Sequence, residues 1–94
     1  MHPGEVLREE FLVPLKISAI KLAERCRVPR TRIERLAAEE TGVTADTALR
    51  LGKALGTSPE FWLNLQNFYD LEVLRRSDAS RTIERDIRPV ALAS

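Results

Sequence analysis

Cysteine occurs once in these 94 residues, at Cys26, so no internal disulfide can form and a reducing compartment is the natural setting. Glycine is nearly as scarce, and Gly42 and Gly56 fall where helical patterns should stop. No apolar run approaches the roughly 20 residues that a transmembrane helix needs. The opening "MHPGEVLREEF" carries acidic residues and no apolar stretch, which excludes a secretory signal. No segment before the tail alternates with period two, and no repeat or low-complexity stretch interrupts the chain. One His and one Cys far apart do not make a metal site. Glu9–Glu10 and Glu39–Glu40 are sequence neighbours, which do not face each other on a helix. There is no nucleophile motif and no glycine-rich phosphate loop. The expectation is a single cytoplasmic domain that is not an enzyme, holds no metal or cofactor, and makes no membrane contact.

Charge of one sign is also lacking. Fifteen basic residues against fourteen acidic ones leave a formal charge of +1, which rules out a uniformly basic binder. It leaves room for a basic patch, because local distribution sets the field that a partner feels. Such a patch is present. The stretch "RCRVPRTRIERL" holds Arg25, Arg27, Arg30, Arg32 and Arg35, one third of the basic residues.

The apolar spacing predicts an all-α chain of five helices. The first runs from Gly4 to Val13, with Leu7 and Phe11 four apart and Pro14 ending it. Ser18 caps a second, carrying Ile20, Leu22, Ala23 and Cys26. Pro29 suits the first position of a third, which buries Ile33, Leu36 and Ala37. Thr44 caps a fourth, with Asp46 complementing the dipole in its first turn, a stripe of Ala48, Leu51 and Leu55, and Gly56 at its end. Ser58, Pro59 and Glu60 open a fifth, with an apolar set from Phe61 and Trp62 to Val73 and Leu74. After Arg76 the polar "SDASRT" reads as a break, and residues 87 to 92 either form one short strand or stay loose. A lone strand is not stable, so it would need an edge from a second copy of the chain. The division is therefore a domain over 1–76 and a tail over 77–94 that serves as a candidate dimerisation segment.

Two short helices about three residues apart, "SAIKLAERCRVPRTRIERLAAEE", have the layout of a helix-turn-helix. Ala23 is the small residue where they cross, and Ile33 and Leu36 lock the second helix down. Arg30, Thr31, Arg32 and Arg35 are left facing outward. Arginine can donate two hydrogen bonds to the O6 and N7 edge of guanine, and threonine can meet a base edge or a thymine methyl. Arg25 and Arg27, at the turn, are better placed for phosphates or solvent. The plainer alternative is a wet helix face whose arginines pair with nearby carboxylates.

"HPGEVLREEFLVPL" and "GVTADTALRLGKALGTSPEFWLNLQNFYDL" resemble the HigA-type antitoxins, small members of the Xre or lambda-repressor-like helix-turn-helix class. The resemblance covers residues 2 to 72. It implies a five-helix repressor-like domain acting as a homodimer on an inverted-repeat operator, repressing its own operon. It also implies neutralisation of a HigB-type toxin, a ribosome-dependent mRNA endonuclease. Against that family's pattern, Ala19 stands where glutamine is usual and Arg27 where glycine is usual, and Glu39 and Glu40 follow the reading helix. These departures favour a second reading, a module that masks a toxin with little or no specific DNA binding.

Two further surfaces follow from the same reading. Glu5, Glu9 and Glu10 are acidic candidates for a basic toxin, their plainer role being a solvated helix face. The fifth helix is apolar over a wider arc than one buried stripe needs. Trp62 reads as core in preference to a stacking platform. The wide set as a whole, with Trp62, Phe68, Tyr69 and Val73 joined by Ile87, is expected to supply a dimer interface. Cys26 reads as a small buried apolar residue.

Overall fold

The first helix begins earlier than its apolar spacing suggests. In the computed structural model, which describes residues 1–91, His2 is extended and its Nδ1 accepts from the Gly4 N–H at 2.8 Å. That ring nitrogen serves as an N-cap, a role the spacing of apolar residues does not reveal. Helix α1 (Pro3–Val6) passes without a break into a π-helical stretch (Leu7–Leu12) and a last turn, α2 (Val13–Leu15). Pro14 therefore does not end the helix. The Val13 N–H bonds the Arg8 carbonyl five residues back, and this wider turn eases the clash between a helical proline ring and the preceding turn. Termination falls instead to Lys16, whose backbone is left-handed at φ 55°.

Helix α3 (Ala19–Cys26) starts at Ser18, whose Oγ accepts from the Lys21 N–H at 3.0 Å. It ends at Arg27, left-handed at φ 57°. Helix α4 (Arg30–Ala37) follows, with Pro29 as the extended residue before it and not its first helical residue. Thr44 caps α5 (Ala45–Leu55), which Gly56 terminates at φ 76°, a conformation that costs glycine little. Ser58 caps α6 (Pro59–Arg75) through a 3.1 Å bond from the Phe61 N–H.

A further helix, α7 (Asp78–Asp86), occupies the segment expected to be a break. Only Ile83 in it is large and apolar, and none of its residues is buried, so no periodic stripe marked it in the sequence. No strand forms among the described residues. Ile87 has extended backbone, residues 88 to 91 carry no regular structure, and Leu92, the last residue of the expected strand, lies outside the described residues.

Leu7, Leu22, Ala23, Ile33, Leu36, Ala48, Leu51 and Trp62 make the core, drawing on the π-helical stretch, α3, α4, α5 and α6. Each large side chain buried there is worth about 1.5–3 kcal/mol. Trp62 is fully buried, and its Nε1 donates to Thr57 Oγ1 at 2.7 Å, so the polar edge of the largest core residue is satisfied. Gly4 allows α1 to approach the end of α4: a Cβ there would lie 1.8 Å from the Leu36 carbonyl oxygen. The far half of α6 and all of α7 project from this core. The extents are 55 × 28 × 22 Å and the radius of gyration is 17.0 Å, against about 12 Å for a compact chain of this length. Among the described residues, no helix is long and apolar enough to cross a membrane.

Candidate nucleic-acid interface

Helices α3 and α4 pack against each other through Ala23, where the absence of a longer side chain lets the backbones approach, and through Ile33 and Leu36, each 1% exposed. With those two positions locked inward, helical geometry turns the intervening residues out. Arg30, Thr31, Arg32 and Arg35 are all exposed. Thr31, Arg32 and Arg35 of α4 line a cleft of about 540 Å³ together with Thr44, the cap of α5, and Asp46 and Arg50 of that helix. The turn between the helices is tight because Arg27 takes the left-handed conformation that a glycine would take more cheaply. Its side chain is exposed and has no ion-pair partner among the described residues.

Each outward arginine of α4 faces a carboxylate. Arg30 Nε lies 3.9 Å from Glu34, and Arg35 Nε lies 3.6 Å from Glu40. Arg32 Nη1 hydrogen-bonds Asp46 Oδ2, the same oxygen that accepts from Arg50 Nε at 3.0 Å. The hydrogen bonds from Arg32 and then Arg50 hold the Asp46 carboxyl below the usual carboxylate range. Arg50 also reaches back to α3: its Nη1 donates to the Cys26 carbonyl at 2.8 Å and to the Arg27 carbonyl at 3.4 Å, meeting acceptors that the end of a helix leaves open. The Cys26 thiol, buried beside them, is pushed up by that burial. The end of α4 is held in the same manner by Arg8. Its Nη1 donates to the Ala37 carbonyl at 2.6 Å, its Nη2 to Glu39 at 3.2 Å and its Nε to Glu9 at 2.9 Å.

The apolar pattern points to neither Arg8 nor Arg50, and Asp46 in the first turn of α5 announces only support for the helix dipole. The acid–base spacing of four between Asp46 and Arg50 was a usable signal for that pair. Arg8 reaches across 29 residues, and no local pattern announces it.

The acidic candidates do not form one open face. Glu5 is half-buried in the first turn of α1, Glu9 is exposed but engaged by Arg8, and Glu10 is exposed. The candidates for a dimer interface also divide. Trp62 is withdrawn from it, because at 0% exposure it has no surface to offer. Tyr69 is half-buried, its ring 4.7 Å from that of His2 in an edge-on contact. Phe68, Val73 and Ile87 are exposed, in company with Leu71, Leu74 and Ile83.

The helix-turn-helix family model matches residues 7–62, the span from the first helix to the start of α6. Virulence-associated protein I of Dichelobacter nodosus is 45% identical over 83 residues, which cover 88% of this chain and 77% of that protein. Antitoxin HigA-1 of Vibrio cholerae is 46% identical over 69 residues, 72% of this chain and 64% of that one. The solved structure of Pseudomonas aeruginosa antitoxin HigA with the higBA promoter superposes with a TM-score of 0.91 at 38% identity, covering 97% of this chain and 98% of that chain. The chain therefore belongs to the helix-turn-helix family, among its HigA-type antitoxins.

Proposed function

We propose that this chain is a dimeric antitoxin that binds operator DNA through α4, represses its own operon, and neutralises a HigB-type mRNA endonuclease toxin. The observation that carries the reading is the division of α4. Ile33 and Leu36 are buried, while Arg30, Thr31, Arg32 and Arg35 stand outward on a rigid helix whose end is fastened by Arg8. Arg32 and Arg35, with Thr31 beside them, supply contacts to base edges, and Arg30 and Arg27 supply contacts to phosphates. The protein acts by binding and not by catalysis, in the cytoplasm where its operon lies.

The departures from the family pattern are compatible with this reading. Glu39 is engaged by Arg8 and Glu40 lies beside Arg35, so neither is a bare charge at the DNA backbone. Arg27 adopts the left-handed turn without glycine's help. The Arg30–Glu34 and Arg35–Glu40 pairs are exposed and long, at 3.9 and 3.6 Å, and are worth little in water, so phosphates can displace them.

Residues 1–76 form the DNA-binding domain and residues 77–94 a dimerisation segment in this proposal. The exposed apolar side chains on α6 and α7 support it, since Phe68, Leu71, Val73, Leu74 and Ile83 lie on an arm that one copy leaves uncovered. Two reading helices would then sit about 34 Å apart and require an inverted repeat. Glu5, Glu9 and Glu10 are assigned to the toxin, so that toxin and DNA occupy different faces.

One observation favours the second reading, masking of the toxin with little DNA binding: all three arginines of the α4 face are paired with carboxylates. A mobility shift on the DNA just upstream of the gene separates the two. The proposal expects a shift by the chain alone and a further shift when the neighbouring toxin is added. Capture of toxin with no shift at any concentration would leave the masking reading.

A further inference from the structure

Asp46 ties the reading helix to the helix after it and, through Arg50, to the end of α3. Its Oδ2 accepts from Arg32 on α4 and from Arg50 on its own helix, while Arg50 bonds the Cys26 carbonyl. A single carboxylate oxygen thus holds two guanidinium groups in the cleft that Thr31 and Arg35 also line. The geometry points to a specificity role: we infer that Asp46 is a positioning residue that makes the protein selective for its operator, by holding Arg32 toward base edges and by withholding Arg32 and Arg50 from arbitrary phosphates. The inference rests on the proposed use of α4 for DNA.

Binding to any DNA is driven by phosphate contacts and counterion release, whatever the sequence. A carboxylate between two arginines opposes that general attraction, because it supplies the negative charge those arginines would otherwise seek. Binding to the operator depends in addition on the direction of a planar fork, which must meet the guanine edge with both donors. An arginine fixed at one end of its fork has fewer orientations to lose on docking. Asp46 therefore costs more on random DNA than on the operator. The other two pairs lack this feature: Arg30–Glu34 and Arg35–Glu40 are longer contacts at 3.9 and 3.6 Å, and neither carboxylate serves a second arginine. Thr44 independently caps α5 through the Thr47 N–H, so the start of that helix survives loss of the Asp46 charge.

The experiment is Asp46→Asn, with Asp46→Ser as a second variant that keeps a small polar group at the helix start. Anisotropy titrations on an operator duplex and on a scrambled duplex are run across a salt series, with circular dichroism confirming wild-type helicity. The expected result is tighter binding to the scrambled duplex by about tenfold near 0.1 M salt, with the log–log salt slope steeper by about one. Operator affinity changes by much less, so the ratio of the two falls about tenfold. An unchanged ratio in both folded variants overturns the inference, as does an equal gain on both duplexes, which would reveal general repulsion alone. A wild-type chain with no preference for the operator removes the DNA reading and this inference with it. A selective wild type with equally selective variants removes this inference alone.

Discussion

Arg8 donates from Nη1 to the Ala37 carbonyl at 2.6 Å, so the first helix closes the end of α4 from 29 residues away. The same guanidinium takes Glu39, a residue held left-handed at φ 63° just beyond that helix. The contact orients the reading helix without touching its outer face. Arg8→Ala is expected to lower the urea midpoint with no change in slope, because the α4 carbonyl and Glu39 both lose their donor. Arg8→Lys should recover only part of the loss, since an ammonium cannot span the three acceptors that the planar fork reaches. Wild-type stability in Arg8→Ala would show that the contact contributes nothing to the fold.

Arg27 holds a backbone conformation that favours glycine. Arg27→Gly should stabilise the fold by about 1 kcal/mol, while Arg27→Ala, which keeps a Cβ, should not. Equal stability of the two variants in thermal or urea unfolding would contradict the assignment of strain to this turn.

Trp62, in the core, donates its indole N–H to the half-buried Thr57. Thr57→Val leaves the indole N–H without its partner and is expected to cost about 1–3 kcal/mol. Trp62→Ala opens a cavity at a fully buried position and should cost about 3–5 kcal/mol, a large share of the stability of so small a domain. Near-neutral values by chemical denaturation would place Trp62 outside the cooperative core.

Two groups contribute to the pH dependence of stability. Asp46 is held below the usual carboxylate range by Arg32 and Arg50, so its contribution is present above about pH 4 and is lost as the pH falls through the lowered folded value. Asp46→Asn should therefore flatten the acid limb of stability against pH. Cys26 is shifted the other way, by burial, so the unfolded thiol ionises first and stability declines as the pH rises past about 8.5. Cys26→Ala should remove that alkaline decline, and alkylation of the native thiol should be much slower than in urea. A native thiol that reacts as fast as an unfolded one would contradict its burial.

Most of the fold was legible because its devices are local. Ser18, Thr44 and Ser58 cap where their side chains and spacing predict, and Gly56 ends α5 as a glycine should. The elements that escaped have no such local mark. His2 caps with a ring nitrogen, and α7 has too few apolar residues to show a period. Pro14 signals a stop by its chemistry, but a π-helical turn ahead of it lets the helix continue. The outward face of α4 followed from the helical period, given that Ile33 and Leu36 turn inward. The carboxylates that meet it were not readable, since Asp46 is 14 residues from Arg32 and only the packing of α5 brings them together.

The exposed apolar arm gives a prediction about assembly. Phe68 and Val73 are 71% and 52% exposed on α6, and Ile83 and Ile87 continue the apolar surface beyond it. Sedimentation is expected to find a dimer at micromolar concentration, and Val73→Asp with Leu74→Asp is expected to give a folded monomer. Truncation after Arg76 should weaken the dimer. An unchanged dimer in the truncated chain would take α7 and the tail out of the interface, and a monomeric wild type would remove the interface altogether.

The most direct test of the central claim is an anisotropy titration of the wild-type chain and of Arg32→Ala with Arg35→Ala. The two duplexes are the DNA just upstream of the gene and a scrambled duplex of equal length. If α4 reads the operator, the wild type binds the upstream duplex at least about a thousandfold more tightly than the scrambled one. Each lost arginine then costs about 1–3 kcal/mol on the upstream duplex, with base preference relaxed at the positions it read. Equal affinity of the wild type for both duplexes, or an operator affinity untouched by losing both arginines, would contradict the claim that this helix reads DNA.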